Sequence, residues 1–327
     1  MSKKFLTVAL FSLIALLLAV VCVLVSLFAL EDKEQYAPAG LNKTDKTEDK
    51  TCILVLGKDK ASGLFDVIML VSFDENDSAA CVMQIPRDTY AEYTEKNHRK
   101  INAAPKLLGE EGFCDFLSEN MGIPIKGYIS FELDAFAKAV DLIGGVEMTL
   151  PKALEYSDPE QGLYIKLPKG KQTLDGKKAQ MLVRFRKGYV RGDLDRLDVQ
   201  KQFMAAFFCK VKDTVNILNA YRFADELLPC VKTNIGAVSL LSIGIKALGV
   251  EPQKMGFLTL PGEDVLDGAS YYVMSRSSTN EVLERHFGKS EGQLDENGLF
   301  LNEKSSKFAA IYNKKYEYSL MFATDMQ

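Results

Sequence analysis

The chain has 327 residues, 47% of them hydrophobic and 26% charged, with a net charge of −4, which allows one large domain or two small ones around a sizeable core. The mild acidity gives no global case for nucleic-acid binding, so any basic site has to be local. With only two histidines, His98 and His286, Ser-His-Asp and Cys-His mechanisms have little support, and no phosphate-loop, dinucleotide-glycine or His-Glu-x-x-His pattern occurs.

The first element is an uncharged apolar run of 26 residues, Phe5 to Leu30; a helix crossing the hydrocarbon core needs roughly 20. Lys3 and Lys4 precede it and Glu31, Asp32, Lys33 and Glu34 follow. Positive charge on the N-terminal side predicts residues 1–4 in the cytoplasm, a transmembrane helix over 5–30 and an exported remainder. The competing reading is a cleaved signal peptide. Against it, the run exceeds an apolar region of about 7–15 residues and ends without a small-x-small site. The short end before the run has no room for a DNA-reading element. Residues 31–50 are polar and charged and read as a linker.

The folded part, 51–288, opens with a buried-type strand over Cys52–Gly57, a polar loop from Lys58 to Leu64, a second apolar stretch over Asp66–Phe73 and a third strand over Ala80–Ile85, stopped by Pro86. Helices are predicted over Lys106–Met121 and Ser130–Ile143, the second stopped by Gly144-Gly145. A strand at Val146–Leu150 and another at Met181–Arg186 come before a helix over Asp195–Lys212 with an acidic start. Phe257–Gly262 carries a further strand pattern, and 289–327 reads as a mixed tail. Alternating strands and helices predict a layered α/β or α+β domain. Phe136, Val140, Phe203 and Phe207 either form plain core or line a long apolar cavity.

Cys22 falls in the apolar run, and Cys52, Cys81, Cys114, Cys209 and Cys230 are scattered without a Cys-x-x-Cys pair, so a zinc site has no support. Cys52 and Cys81 can pair only if their strands are neighbours. Asp59 and Asp66 flank the first loop, where two carboxylates can hold Mg2+ or Mn2+ beside phosphate oxygens or serve as ordinary loop acids. Arg184 and Arg186, two apart in the predicted strand, share a face and suit either a diphosphate or an exposed edge. Arg196 and Gln200 share a helix face, and Arg87 follows Pro86 into a loop. From Arg184 to Lys201 there are six basic and three acidic residues, a local excess that points to an anionic ligand.

These residues carry a resemblance. Leu56-Gly57-Lys58-Asp59, Asp66–Leu70, Ile85–Tyr90, Lys100–Ala103, Val140–Val146, Leu174-Asp175-Gly176, Arg184-Phe185-Arg186 and Gly192–Gln200, in this order behind an apolar N-terminal run, resemble the LytR-CpsA-Psr family over about 51–215 and more weakly to about 288. The resemblance implies a mixed-sheet α/β domain with an apolar tunnel for a polyprenyl lipid. It implies transfer of teichoic acid, capsular or similar glycopolymers from polyprenyl diphosphate to peptidoglycan outside the cytoplasm, at a Gram-positive-type envelope. By motif match, Asp59 and Asp66 correspond to metal-binding aspartates, and Arg87, Arg184, Arg186, Arg196 and Gln200 to diphosphate-binding residues. Asp59, Arg184 and Arg186 are expected to carry the transfer, and either Asp59 or Asp66 is the candidate base. Where the family has Arg-Ser before the second aspartate, this chain has Leu64 and Phe65. The alternative reading is a non-catalytic membrane-tethered lipid or glycan binder, or an envelope regulator.

Overall fold

The structure, a computed structural model, describes residues 50–59, 62–74, 76–92, 99–159, 163–185, 193–215, 223, 226–289, 294, 300 and 307–326. The expected cytoplasmic end, transmembrane helix and nearly all of the linker lie outside these residues, as do Arg186 and Arg191. Among the described residues no helix is long and apolar enough to cross a membrane.

Three strands, β1 (Lys50–Lys58), β2 (Phe65–Asp74) and β3 (Ala79–Ile85), run as an antiparallel meander. Helix α1 (Ala104–Met121) then leads to β4 (Ile125–Glu132), which lies parallel to β1 on its free side. Beyond it come α2 (Leu133–Leu142), β5 (Val146–Leu150), β6 (Leu154–Asp158), β7 (Leu163–Leu167), β8 (Gly170–Leu174), α3 (Gly176–Arg184) and α4 (Asp193–Thr214). The remainder supplies β9 (Val231–Thr233), α5 (Ala237–Gly249), β10 (Met255–Thr259), β11 (Gly262–Asp267), β12 (Ala269–Met274), α6 (Arg276–His286), α7 (Ala309–Tyr312) and β13 (Met321–Phe322). The described strands form a mixed sheet in the order β13-β10-β3-β2-β1-β4-β9, with β5–β8, β6–β7 and β11–β12 as separate antiparallel pairs.

The central strands read as continuous apolar runs because both faces of the sheet are covered. Their pleat sends Ile53, Val55, Val67, Met69 and Val82 into a core with α2 to α5, and Leu54, Leu56, Ile68, Leu70 and Met83 into a second core with α1 and α6. Phe136, Val140, Phe203 and Phe207 lie in the first core, with exposures of 0, 0, 2 and 0%. Phe136 and Phe203 pack with ring centroids 5.7 Å apart. Among the described residues the four are buried core side chains, and none of the cavities described is lined by them.

Two expectations are corrected, and the open pairing of Cys52 with Cys81 is settled. The helix predicted from Ser130 starts at Leu133, because Ser130 to Glu132 pair with Leu56 to Lys58 and complete β4. Met181–Arg184 is helical: Asp175 caps α3 by accepting from the Lys178 N–H at 2.7 Å, and Ala179, Leu182 and Val183 are buried at helical spacing. Cys52 and Cys81 are free, since β2 lies between their strands and Ser72 stands opposite both. The tail also belongs to the fold: β13 pairs with β10, and Phe300, Phe308 and Tyr312 enter the second core.

Candidate active site

The C-terminal ends of β1 and β3 and the start of β2 are level with one another, as the pairs Leu56–Ile68 and Ile68–Ile85 show. Chain reversals at this end project the polar side chains. After β1 the backbone turns tightly: the Asp59 N–H donates to the Leu64 carbonyl at 2.8 Å, and the Gly63 N–H to the Asp59 carbonyl at 2.8 Å. Gly63 takes φ +68°, which only glycine adopts at little cost. Ser62 Oγ donates to Asp59 Oδ2 at 2.7 Å. The β1–β2 register shifts between Gly57–Val67 and Lys58–Phe65, which leaves Asp66 as the extra residue of the bulge, so Asp59 and Asp66 stand at the mouth of one hairpin, each 7% exposed.

After β3, Pro86 ends the ladder and Arg87 turns back, its Nη1 donating to Asp66 Oδ1 at 3.0 Å. Two further motifs hold this turn. Thr89 Oγ1 donates to the Pro86 carbonyl at 2.5 Å. The N–H groups of Ile101 and Asn102 donate to the carbonyls of Thr89 and Arg87 at 2.8 and 3.2 Å, and Lys100 Nζ pairs with Asp88 Oδ1 at 2.7 Å. The Lys100–Ala103 motif is thus a clasp for the Arg87 turn. Arg87 Nε remains buried without a hydrogen bond, 3.8 Å from Asp88 Oδ2.

A second joint positions Arg184. The Gly176 N–H donates to Asp141 Oδ1 at 2.7 Å, and a Cβ at 176 would lie 2.3 Å from the Ala137 carbonyl oxygen. The Val140–Val146 and Leu174–Gly176 motifs therefore dock α3 against α2. Gln180 Nε2 donates to the Leu133 carbonyl at the start of α2, which leaves Arg184, one turn on, at the end of α3 beside Asp59. Burial depresses the Arg184 pKa, and the Asp59 carboxylate opposes that shift.

Helix α4 brings Arg196 and Gln200, each 1% exposed, near its N-terminal end, where the macrodipole favours an anion. Gln200 meets Gln84 of β3, whose Nε2 donates to Gln200 Oε1 at 2.6 Å. The structure thus assembles Asp59 with Arg184, Asp66 with Arg87, and Gln200 with Gln84 at one sheet end, with Arg196 one helical turn from Gln200. Arg186 lies outside the described residues. Phe65 is wholly buried, with Lys58 Nζ 5.9 Å from its ring centroid. Gln84 escaped the sequence reading; the available signal was a polar residue at an inward position of an apolar strand.

The LytR_cpsA_psr family profile matches residues 23–287. The polyisoprenyl-teichoic acid–peptidoglycan teichoic acid transferase TagV of Bacillus subtilis (strain 168) is 28% identical over 223 residues, covering 67% of this chain and 57% of TagV. The regulatory protein MsrR of Staphylococcus aureus (strain COL) is 30% identical over 222 residues, covering 66% of each. The crystal structure of B. subtilis TagV superposes with a TM-score of 0.61 at 23% identity, covering 75% of this chain and 99% of that one.

Proposed function

Because the chain belongs to the LytR_cpsA_psr family, we propose that it transfers a glycopolymer of teichoic-acid or capsular type from a polyprenyl diphosphate onto peptidoglycan. The observation that carries the reading is the pairing of Arg87 with Asp66 and of Arg184 with Asp59 at one sheet end, with the buried Arg196 and Gln200 supplied by α4. Phosphoryl transfer needs charge neutralisation and positioning more than a covalent catalyst. Arg87, Arg184 and Arg196 neutralise the diphosphate, with Gln200 as a neutral donor and Arg186 assigned to the same role by its motif. The acceptor hydroxyl oxygen attacks the glycan-proximal phosphorus and forms the new P–O bond. The bond from that phosphorus to the lipid-side bridging oxygen breaks, and polyprenyl monophosphate leaves. The hydroxyl proton passes to Asp59 or Asp66.

Asp59 and Asp66 at the hairpin mouth are the residues that would hold Mg2+ or Mn2+ in an open site. Asp59 and Asp66 offer hard oxygen donors, and Mg2+ is held by one or two carboxylates with substrate phosphates and water. Among the described residues no group of three or more His, Cys, Asp or Glu forms a closed cage. When bound, the ion adds positive charge at the phosphate oxygens.

The apolar run over 5–30 supports a single-pass anchor with the domain outside the cytoplasm, and no element points to nucleic acid. A second reading, a non-catalytic envelope regulator, is favoured by the name of MsrR. Incubating the purified full chain with a lipid-linked glycan and peptidoglycan fragments decides between them. Release of polyprenyl monophosphate that is abolished by EDTA and restored by Mg2+ or Mn2+ is expected, and its absence would refute the transferase reading. Protease added to wall-stripped cells should digest the domain.

A further inference from the structure

Gln84 interrupts an apolar alternation. Ala80 and Val82 face the core that contains α4, and the pleat puts Gln84 on the same face at the active-site end of β3. It is 3% exposed and donates from Nε2 to Gln200 Oε1 at 2.6 Å. Each primary amide has two N–H donors and a two-lone-pair oxygen. One bond between two such groups leaves much unmet, and Gln84 Oε1 and Gln200 Nε2 are both buried without a hydrogen bond. A pair of apolar side chains would fill this volume without orphaned polar atoms, so core packing does not account for the pair.

The direction of the bond does account for it. While Gln84 donates to Gln200 Oε1, the Gln200 amide cannot turn that oxygen toward the anion site, and its NH2 stays available. Rotated by half a turn, Gln200 would aim a lone pair at a phosphate oxygen. Resting on the transferase-site reading above, we infer that Gln84 is a positioning residue, locking the Gln200 carboxamide with its NH2 toward the diphosphate of the donor.

The test is a double-mutant cycle of Gln84→Met, Gln200→Met and the double variant in the full chain, read by the Kd for a short-chain polyprenyl diphosphate and by Tm. Loss of a hydrogen bond to a charged group corresponds to at least about tenfold in Kd. Gln84→Met is therefore expected to weaken binding about tenfold, and the double variant to bind no more weakly than Gln200→Met alone. The double variant should also melt no lower than the wild type, because replacing both partners removes the orphaned atoms. Wild-type binding by Gln84→Met, or losses that multiply in the double variant, would overturn the inference. So would a Tm drop in the double variant, which marks a purely structural pair. A wild-type chain that binds the diphosphate but transfers nothing refutes the transferase reading alone and leaves the cycle readable; one that binds no diphosphate overturns both.

Discussion

Arg87 and Asp66 form an ion pair at 3.0 Å with side-chain exposures of only 8 and 5%. Taking both charges out of water is costly, and the pair persists because each neutralises the other. Removing one member strands the other. Arg87→Ala is expected to destabilise the fold by about 3–5 kcal/mol in urea unfolding. Asp66→Asn, which keeps an acceptor for Arg87, is expected to cost less stability but to abolish any Mg2+ dependence of transfer. Equal stability of Arg87→Ala and the wild type would show that the pair is not desolvated in solution.

Arg184 tests the site from the other side. Truncating a charge-assisted partner of a desolvated anion costs roughly 2–5 kcal/mol, so Arg184→Ala should lower transfer by at least about thirtyfold with an unchanged melting curve. Arg184→Lys should recover only part, because an ammonium lacks the guanidinium fork. Lys171→Ala removes an exposed cation paired with Glu147 on the β5–β8 ribbon, and transfer and stability should stay within about 0.5 kcal/mol of the wild type.

The joint beneath Arg184 makes a separate prediction. Gly176→Ala would place a Cβ 2.3 Å from the Ala137 carbonyl, a clash with backbone that cannot swing away. A cost of about 1–3 kcal/mol is expected, with a fall in transfer larger than the stability loss alone explains, because α3 carries Arg184. Unchanged transfer by this variant would show that the α2–α3 joint does not position the arginine.

The buried thiols set the response to alkali. Burial raises the Cys52 pKa to about 12 against the opposing pull of Lys50 and Lys126. Burial, with Asp115 and Glu111 adding to it, raises Cys114 to about 12. Folded values above the unfolded value of about 8.5 mean that the folded state holds its protons longer. The stability this contributes is fully present below about pH 8.5 and is lost as pH rises toward 12. Urea unfolding at pH 7.5 and pH 10 should show the loss, and Cys52→Val should reduce it. Reductant should leave Tm unchanged, since Cys52 and Cys81 are free.

The strands of the meander were legible because a sheet covered on both faces demands uninterrupted apolar runs, and β1 to β3 have them. Helix α4 was legible from its large apolar side chains and acidic start. The end of β4 was not: Phe131 fits a helical stripe as well as a strand, and only pairing with β1 decides. Arg184 stands out by its two-residue spacing from Arg186, but the strand that this spacing assumes is a helix: Met181–Arg184 also fits a strand pattern locally, and the Asp175 cap decides for α3. Asp59, Asp66, Arg87, Arg196 and Gln200 were recoverable as local patterns next to strand or helix ends. Gln84 was not, since its role exists only where β3 meets α4.

The family match stops at residue 287, yet the sheet does not. Strand β13 covers the outer edge of β10 through Gly256–Phe322 and Phe257–Met321, and the Leu320 side chain lies where a Cβ on Gly256 would fall. A chain cut after Gly288 would leave β10 as a bare edge with an apolar sequence, Met255-Gly256-Phe257-Leu258, and would unroof the second core where Phe300, Phe308 and Tyr312 now pack. Such an edge is a template for pairing with another copy. β13 and the side chains packed with it thus cap that edge, and a truncation drawn from motif boundaries is expected to self-associate, so that its inactivity would say nothing about the active site.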